Sequence, residues 1–169
     1  MLINMRKILL IFLFILSTLL PFPAYRDGMA EDKITVGVVE EVILLPWGVR
    51  MPARIDTGAA TSSLDARGLK VKKGIAEFKL PAKYGGLKLK LRVVDRRVVK
   101  SGPTKKRRPV VEIDLCFGPK RVRTEVNLVD RSGLTYPMII GRNLLRKNYV
   151  VDCELETCQV PTCPEVPEK

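Results

Sequence analysis

The stretch Arg54-Ile55-Asp56-Thr57-Gly58-Ala59-Ala60-Thr61-Ser62-Ser63 runs an apolar strand directly into an acid, a hydroxyl and a glycine, then into small, hydroxyl-bearing residues. An acid at a strand end can project into a cleft, Thr57 can fix a neighbouring loop through its hydroxyl, and Gly58 permits a close turn that a Cβ would obstruct. Taken alone, Asp56-Thr57-Gly58 reads equally as an Asx-type turn. A second stretch changes the balance. Met138-Ile139-Ile140-Gly141-Arg142-Asn143-Leu144-Leu145 places a hydrophobic strand, a glycine and a short helix downstream, with Gly141 85 residues beyond Asp56.

Working outward, the chain from Glu31 reads as short strands. Ile34 to Leu45 is β-rich, Pro46-Trp47-Gly48 punctuates it, and Val49 to Ile55 resumes with alternation. Similar runs occupy Gly74 to Leu80, Leu87 to Val99, Pro109 to Phe117, Val122 to Val129 and Tyr149 to Cys153. Arg142 to Lys147 alone reads as helix. Many short strands with one brief C-terminal helix predict an all-β domain, a closed or nearly closed barrel, over residues 31–152.

Of 169 residues, 46% are hydrophobic and 28% charged, which excludes low-complexity disorder. Histidine is absent, so a Ser-His-Asp or Cys-His hydrolase and any imidazole-ligated zinc site are excluded. Arg6 and Lys7, the apolar block Ile8 to Leu20 and the small residues Ala24 and Ala30 follow the order of a secretory signal. Residues 1–30 are therefore expected to be a signal peptide, with cleavage at Ala30 favoured, or an uncleaved membrane tether; a buried core helix is the bland alternative. Periplasmic or other export makes disulfides permissible.

Cys116 stands in a strand-like run, whereas Cys153, Cys158 and Cys163 are evenly spaced in a Pro-rich tail over residues 153–169. Two disulfides, with any of three connectivities, are expected to pin a tail that Pro161, Pro164 and Pro167 keep out of helix and sheet. The spacing lacks the paired knuckles of a Cys-only zinc site, so no metal is expected.

Charge is unevenly placed. Between Lys88 and Arg108 stand ten basic residues, Lys88, Lys90, Arg92, Arg96, Arg97, Lys100, Lys105, Lys106, Arg107 and Arg108, against one acid, Asp95. The segment reads as a solvated hairpin or as a surface that attracts an anion. It has no aromatic residue to stack on a base, and export removes the chain from most nucleic acid, so nucleic acid is not expected. An acidic peptide, an anionic wall polymer or a membrane headgroup fits better.

Asp56-Thr57-Gly58-Ala59 with Ile139-Ile140-Gly141-Arg142-Asn143-Leu144-Leu145 resembles the paired signatures of retropepsins, the aspartic proteases of retroviruses. With Arg108-Pro109-Val110-Val111 between them, the set is similar to the bacterial retropepsin-like group often labelled ATP-dependent zinc protease, over roughly Val36 to Asp152. The resemblance implies a retropepsin-like barrel that pairs about a two-fold axis. Each protomer would donate one Asp56 to a catalytic dyad, because the chain holds one Asp-Thr-Gly. It further implies that Thr57, Gly58 and Ala59 shape the active-site loop and that Gly141, Arg142 and Asn143 brace it. Arg142 would act through a dimer or loop salt bridge. A hairpin flap carrying Arg92, Arg96, Arg97, Lys100, Lys105, Lys106, Arg107 and Arg108 would close over an acidic peptide.

The chain departs from the pattern at Ala60, where retroviral members carry an acid, and at Asp65, where bacterial relatives commonly place His. Neither zinc nor ATP is implied by these residues, and no cofactor is expected. The competing expectations are an inactive barrel that uses its basic hairpin to hold an anionic peptide or wall polymer, and a metal-dependent hydrolase with Asp and Cys ligands.

Overall fold

A computed structural model of the chain describes residues 33–101 and 104–163. The expected signal or anchor over residues 1–30, the side chain of Lys100, and Pro164 and Pro167 lie outside the described residues.

Among the described residues, eleven strands and one α-helix follow in the order β1 (Ile34–Val36), β2 (Val39–Leu45), β3 (Val49–Ile55), β4 (Ser62–Asp65), β5 (Arg67–Lys72), β6 (Ile75–Lys79), β7 (Lys88–Ser101), β8 (Thr104–Phe117), β9 (Lys120–Val129), β10 (Met138–Ile140), α1 (Arg142–Asn148) and β11 (Tyr149–Val151). Six of them close a barrel in the order β2-β3-β10-β4-β9-β8, with β8 returning to pair antiparallel with β2. The edge of β8 that faces away from β9 pairs with β2 near its C-terminal end and, ahead of that stretch, carries β7, then β6 and β5, as an antiparallel extension. The expected closed barrel with one short C-terminal helix is therefore present.

Alternation decides which side chains fill it. Along β3, Met51, Ala53 and Ile55 are buried while Arg50 and Arg54 face out. Along β2 the pattern turns into an unbroken buried run, because the strand is covered on both faces. Val42 and Leu44 join the main core, whereas Ile43 and Leu45 form a second cluster with Cys116 and Cys163. Burial of one such aliphatic side chain is worth roughly 1.5–3 kcal/mol. On the inner side, Tyr149 lies against Phe117 with ring centroids 4.6 Å apart and donates its hydroxyl to the Phe117 carbonyl at 3.0 Å. Burial pushes that phenol up to about 12, so it stays neutral.

What covers the outer face of β2 is the tail. Cys116 and Cys163 are joined by a disulfide, and the Thr162 amide donates to the Gly118 carbonyl at 3.0 Å. Glu40, fully buried, accepts from the amides of Gly37 (2.6 Å), Cys158 (3.2 Å) and Gln159 (3.0 Å). A carboxylate that receives several N–H donors repays its desolvation locally. Gly37 is needed for close approach, since a Cβ there would stand 2.5 Å from the Glu156 carbonyl oxygen.

Three expectations are corrected. One disulfide replaces the expected two: Cys153 and Cys158 are exposed free thiols. Strands β4 and β5 were not anticipated, since Ser62-Ser63-Leu64-Asp65 lacks strand character; it is held in the barrel by buried polar partners. Strand β8 starts at Thr104, ahead of the expected Pro109, because its residues Thr104–Pro109 pair with β7 alone as a two-stranded arm and β9 joins only at Val110. On such an arm the missing proline N–H costs no ladder bond to a third strand.

Candidate active site

Asp56 leaves the end of β3, where that strand runs parallel to β10 and Ile55 stands opposite Ile140. Its amide donates to the Ile140 carbonyl at 3.0 Å, so the side chain emerges at a fixed point on the barrel rim. The Asp56 Oδ1 accepts from the amides of Gly58 (2.9 Å) and Ala59 (3.1 Å). Both readings of the tripeptide therefore hold at once: the acid caps its own turn through Oδ1 and leaves Oδ2 without a hydrogen bond from the described residues. Thr57 and Gly58 are exposed at the loop tip.

The brace comes from the β10–α1 junction. Gly141 donates its amide to Ser62 Oγ at 3.0 Å, and a Cβ on it would lie 2.8 Å from the Thr61 carbonyl carbon. The Arg142 amide donates to the Ala59 carbonyl at 2.9 Å, and its guanidinium to the carbonyls of Thr57 (2.7 Å) and Gly58 (2.8 Å). Within the protomer, Arg142 holds the loop through carbonyl oxygens in place of the expected loop salt bridge. Asn143 accepts from the Ser62 amide (2.8 Å) and hydroxyl (2.9 Å) while donating to Thr124 Oγ1 and the Glu125 carbonyl. Strand β4, the helix and β9 are tied by one amide side chain.

Above Asp56 lies a cavity of about 750 Å³, lined by Asp56, Gly58, Ala59, Ala60, Thr61 and Ser63 on the loop side. Arg97, Val98, Val99 and Arg108 line it from the β7–β8 arm, and Asn127, Arg131, Leu134 and Ile139 complete it. The candidate flap residues separate here. Arg97 is committed: it pairs with Asp95 at 2.9 Å and with Glu125, and donates to Thr61 Oγ1 at 3.2 Å, so it fastens the arm to the barrel. Its guanidinium is held above the usual arginine range chiefly by the Glu125 hydrogen bond. Arg108 donates Nη1 to Asn127 at 3.2 Å, and its Nε is buried without a partner. Arg92 lies on the β6 side, opposite Ile75, and Arg96, Lys105, Lys106 and Arg107 are exposed and do not line the cavity. None of the four cysteines lines it.

Sequence reasoning missed Arg131, which is 8% exposed on the cavity floor. Its Nε donates to the Tyr136 carbonyl (2.9 Å), its Nη1 to Ser63 Oγ (3.2 Å) and its amide to Asp65 (2.9 Å). Burial lowers its basicity; Asp65 raises it, nearby Arg108 lowers it further and Asp56 raises it. Asp65 itself receives a two-pronged bond from Arg67, at 2.8 Å on each oxygen. The available signal was an arginine two residues past the end of a strand, which the crowded basic hairpin overshadowed. Among the described residues, no three His, Cys, Asp or Glu side chains converge as a metal site would need.

Residues 35–162 match the model of the RimB-like family, described as retropepsin-like aspartic endopeptidase RimB. The chain belongs to this family. A solved structure from Legionella pneumophila, the protein Lpg0085 of unknown function, is similar at TM-score 0.63 and 33% identity, over 75% of this chain and 98% of that one. Two curated relatives, named probable alpha-L-glutamate ligases of Shewanella pealeana and Shewanella halifaxensis, are each 30% identical over 141 residues. That match covers 77% of this chain and 31% of the relatives, so the chain spans about a third of their length. The RimB-like match takes in the Asp56 loop, the arm and the Gly141-Arg142-Asn143 brace together.

Proposed function

We propose that the chain is an exported aspartic peptidase, active as a homodimer through paired Asp56 carboxylates and selective for acidic peptides. The observation that carries this reading is the half-buried Asp56, fixed by two amides, facing a cavity whose other ionised side chains are Arg97, Arg108 and Arg131. One Asp-Thr-Gly per chain, with its loop tip exposed, supports a second copy as the source of the second acid.

Two carboxylates a few ångströms apart do not both ionise at low cost, so they share a proton. The ionised one takes a proton from water as the water oxygen attacks the scissile carbonyl. The protonated one donates to the developing oxyanion, and no covalent intermediate forms. Cations on the arm and floor favour acidic residues beside the bond, and the matched segment occurs within proteins named as glutamate ligases. The Cys116–Cys163 disulfide supports an oxidising compartment.

The test is cleavage of oligoglutamate-tailed against neutral peptides. Asp56→Asn should lower turnover by at least about a hundred-fold, and the specific activity should fall on dilution as dimers dissociate. Equal cleavage of both peptides sinks the substrate class. An Asp56→Asn protein that holds acidic peptide, from a wild type that cleaves nothing, would leave the inactive binding module as the better reading.

A further inference from the structure

Arg108 and Arg131 enter the cavity from different elements, one on β8 of the arm and the other just after β9. Other arginines around them are neutralised: Arg67 pairs with Asp65, and Arg97 with Asp95 and Glu125. Neither Arg108 nor Arg131 takes part in an ion pair among the described residues. Arg131 is buried and spends two nitrogens on a carbonyl and a hydroxyl, neither charged. Arg108 spends one on the Asn127 side chain and leaves Nε buried and unsatisfied.

Burying a guanidinium without a direct ion pair is costly even with Asp65 and Asp56 within electrostatic reach, and a second guanidinium within that reach adds repulsion. Nearly every buried polar nitrogen in a native structure has a partner, and the Arg108 Nε is the only buried side-chain nitrogen or oxygen found without one among the described residues. Such a pair makes sense where an anion arrives. The planar fork of arginine suits a carboxylate, which offers two oxygens in matching geometry.

We propose that Arg108 and Arg131 form a carboxylate subsite that seats an acid group of the bound peptide beside the bond facing Asp56. They are specificity-determining residues, and the catalytic consequence rests on the peptidase reading whereas the binding does not. The acid group comes either from a glutamate or aspartate side chain or from a free C-terminus.

The experiment uses the full chain carrying Asp56→Asn, so that peptides bind without being cut. Tetraglutamate, tetraglutamate amide and tetraglutamine amide are titrated by calorimetry. Tetraglutamate should bind about ten- to a hundred-fold more tightly than tetraglutamine amide, and Arg108→Met should erase the difference. Arg108→Lys, which keeps the charge and loses the fork, should restore part of it. If amide capping removes the advantage, the seated group is the C-terminal carboxylate; if the advantage survives capping, it is a side chain. Equal binding of acidic and neutral peptides overturns the proposal. So does an Arg108→Met loss no larger than that from Lys72→Gln, which removes one exposed charge away from the cavity. With Asp56 intact, cleavage without acidic preference defeats the subsite and leaves the peptidase. Acidic binding without cleavage does the reverse.

Discussion

Gly141→Ala tests how tightly the Asp56 loop is held. The glycine has φ −98° and ψ −179°, a conformation open to any residue, so the cost of a methyl group there is steric alone. An added Cβ would meet the Thr61 carbonyl carbon at 2.8 Å, the Ala59 oxygen at 2.9 Å and the Ser62 nitrogen at 3.0 Å. All three are backbone atoms of the segment after Asp56, so none can swing aside as a side chain would. The loop must retreat by roughly half an ångström to reach ordinary van der Waals contact, straining the Gly141–Ser62 and Arg142–Ala59 bonds. Overpacking of this kind costs about 1–3 kcal/mol, which for a domain of this size lowers Tm by roughly 3–10 °C. On the proposed peptidase function, a half-ångström displacement of Asp56 should also slow acidic-peptide cleavage about ten-fold. Thermal unfolding followed by circular dichroism reads the first effect and a fluorogenic peptide the second. Gly133→Ala is the control, because a Cβ there meets nothing within 4 Å. If Gly141→Ala melts and cleaves like the control, the close-approach argument is wrong.

The remaining predictions concern the tail and acid stability. The Cys116–Cys163 bridge closes a separation of 47 residues, and its reduction should cost about 4 kcal/mol in the chain-entropy account. Urea unfolding with and without reductant measures this, and thiol titration of the native protein should find the two exposed thiols, Cys153 and Cys158, and no more. Hydrogen bonds from Arg123 and then Arg121 hold Asp114 down to about 2. The folded value lies below the unfolded one, so its stabilisation is complete above about pH 4 and is lost as pH falls toward 2. It amounts to roughly 1–2 kcal/mol once solvent around the exposed arginines is allowed for. Asp114→Asn should flatten the loss of stability across that window, and an unchanged slope would refute the assignment.

The Asp56 loop and the Gly141 brace were legible because the two stretches together resemble the paired signatures of retropepsins, whereas Asp56-Thr57-Gly58 alone reads equally as a turn. Barrel closure was legible as many short strands. Strand β4 was not, because Ser62 and Ser63 take their places through Asn143, Asn127 and Arg131, partners far away in sequence. The basic hairpin was visible as charge, yet charge counting could not tell Arg97, which is neutralised by Asp95 and Glu125, from Arg108, which faces the cavity. Nor could it find Arg131, which is set apart by its burial and its uncharged guanidinium partners. The apolar run Val42 to Leu45 pointed to a strand without revealing that its outer face waits for the tail.

That last arrangement governs the order of events as the protein is made. Glu40 meets the amide of Cys158 across 118 positions of sequence, and Ile43 and Leu45 are sheltered only once Cys163 has reached Cys116. Contacts of such separation form late. The second strand to emerge is therefore among the last to be finished, and until the tail arrives it presents an aliphatic face and a carboxylate that lacks two of its amide donors. A nascent chain halted at the end of β11 would hold every strand of the barrel and still lack the clasp that lets the first of them leave water.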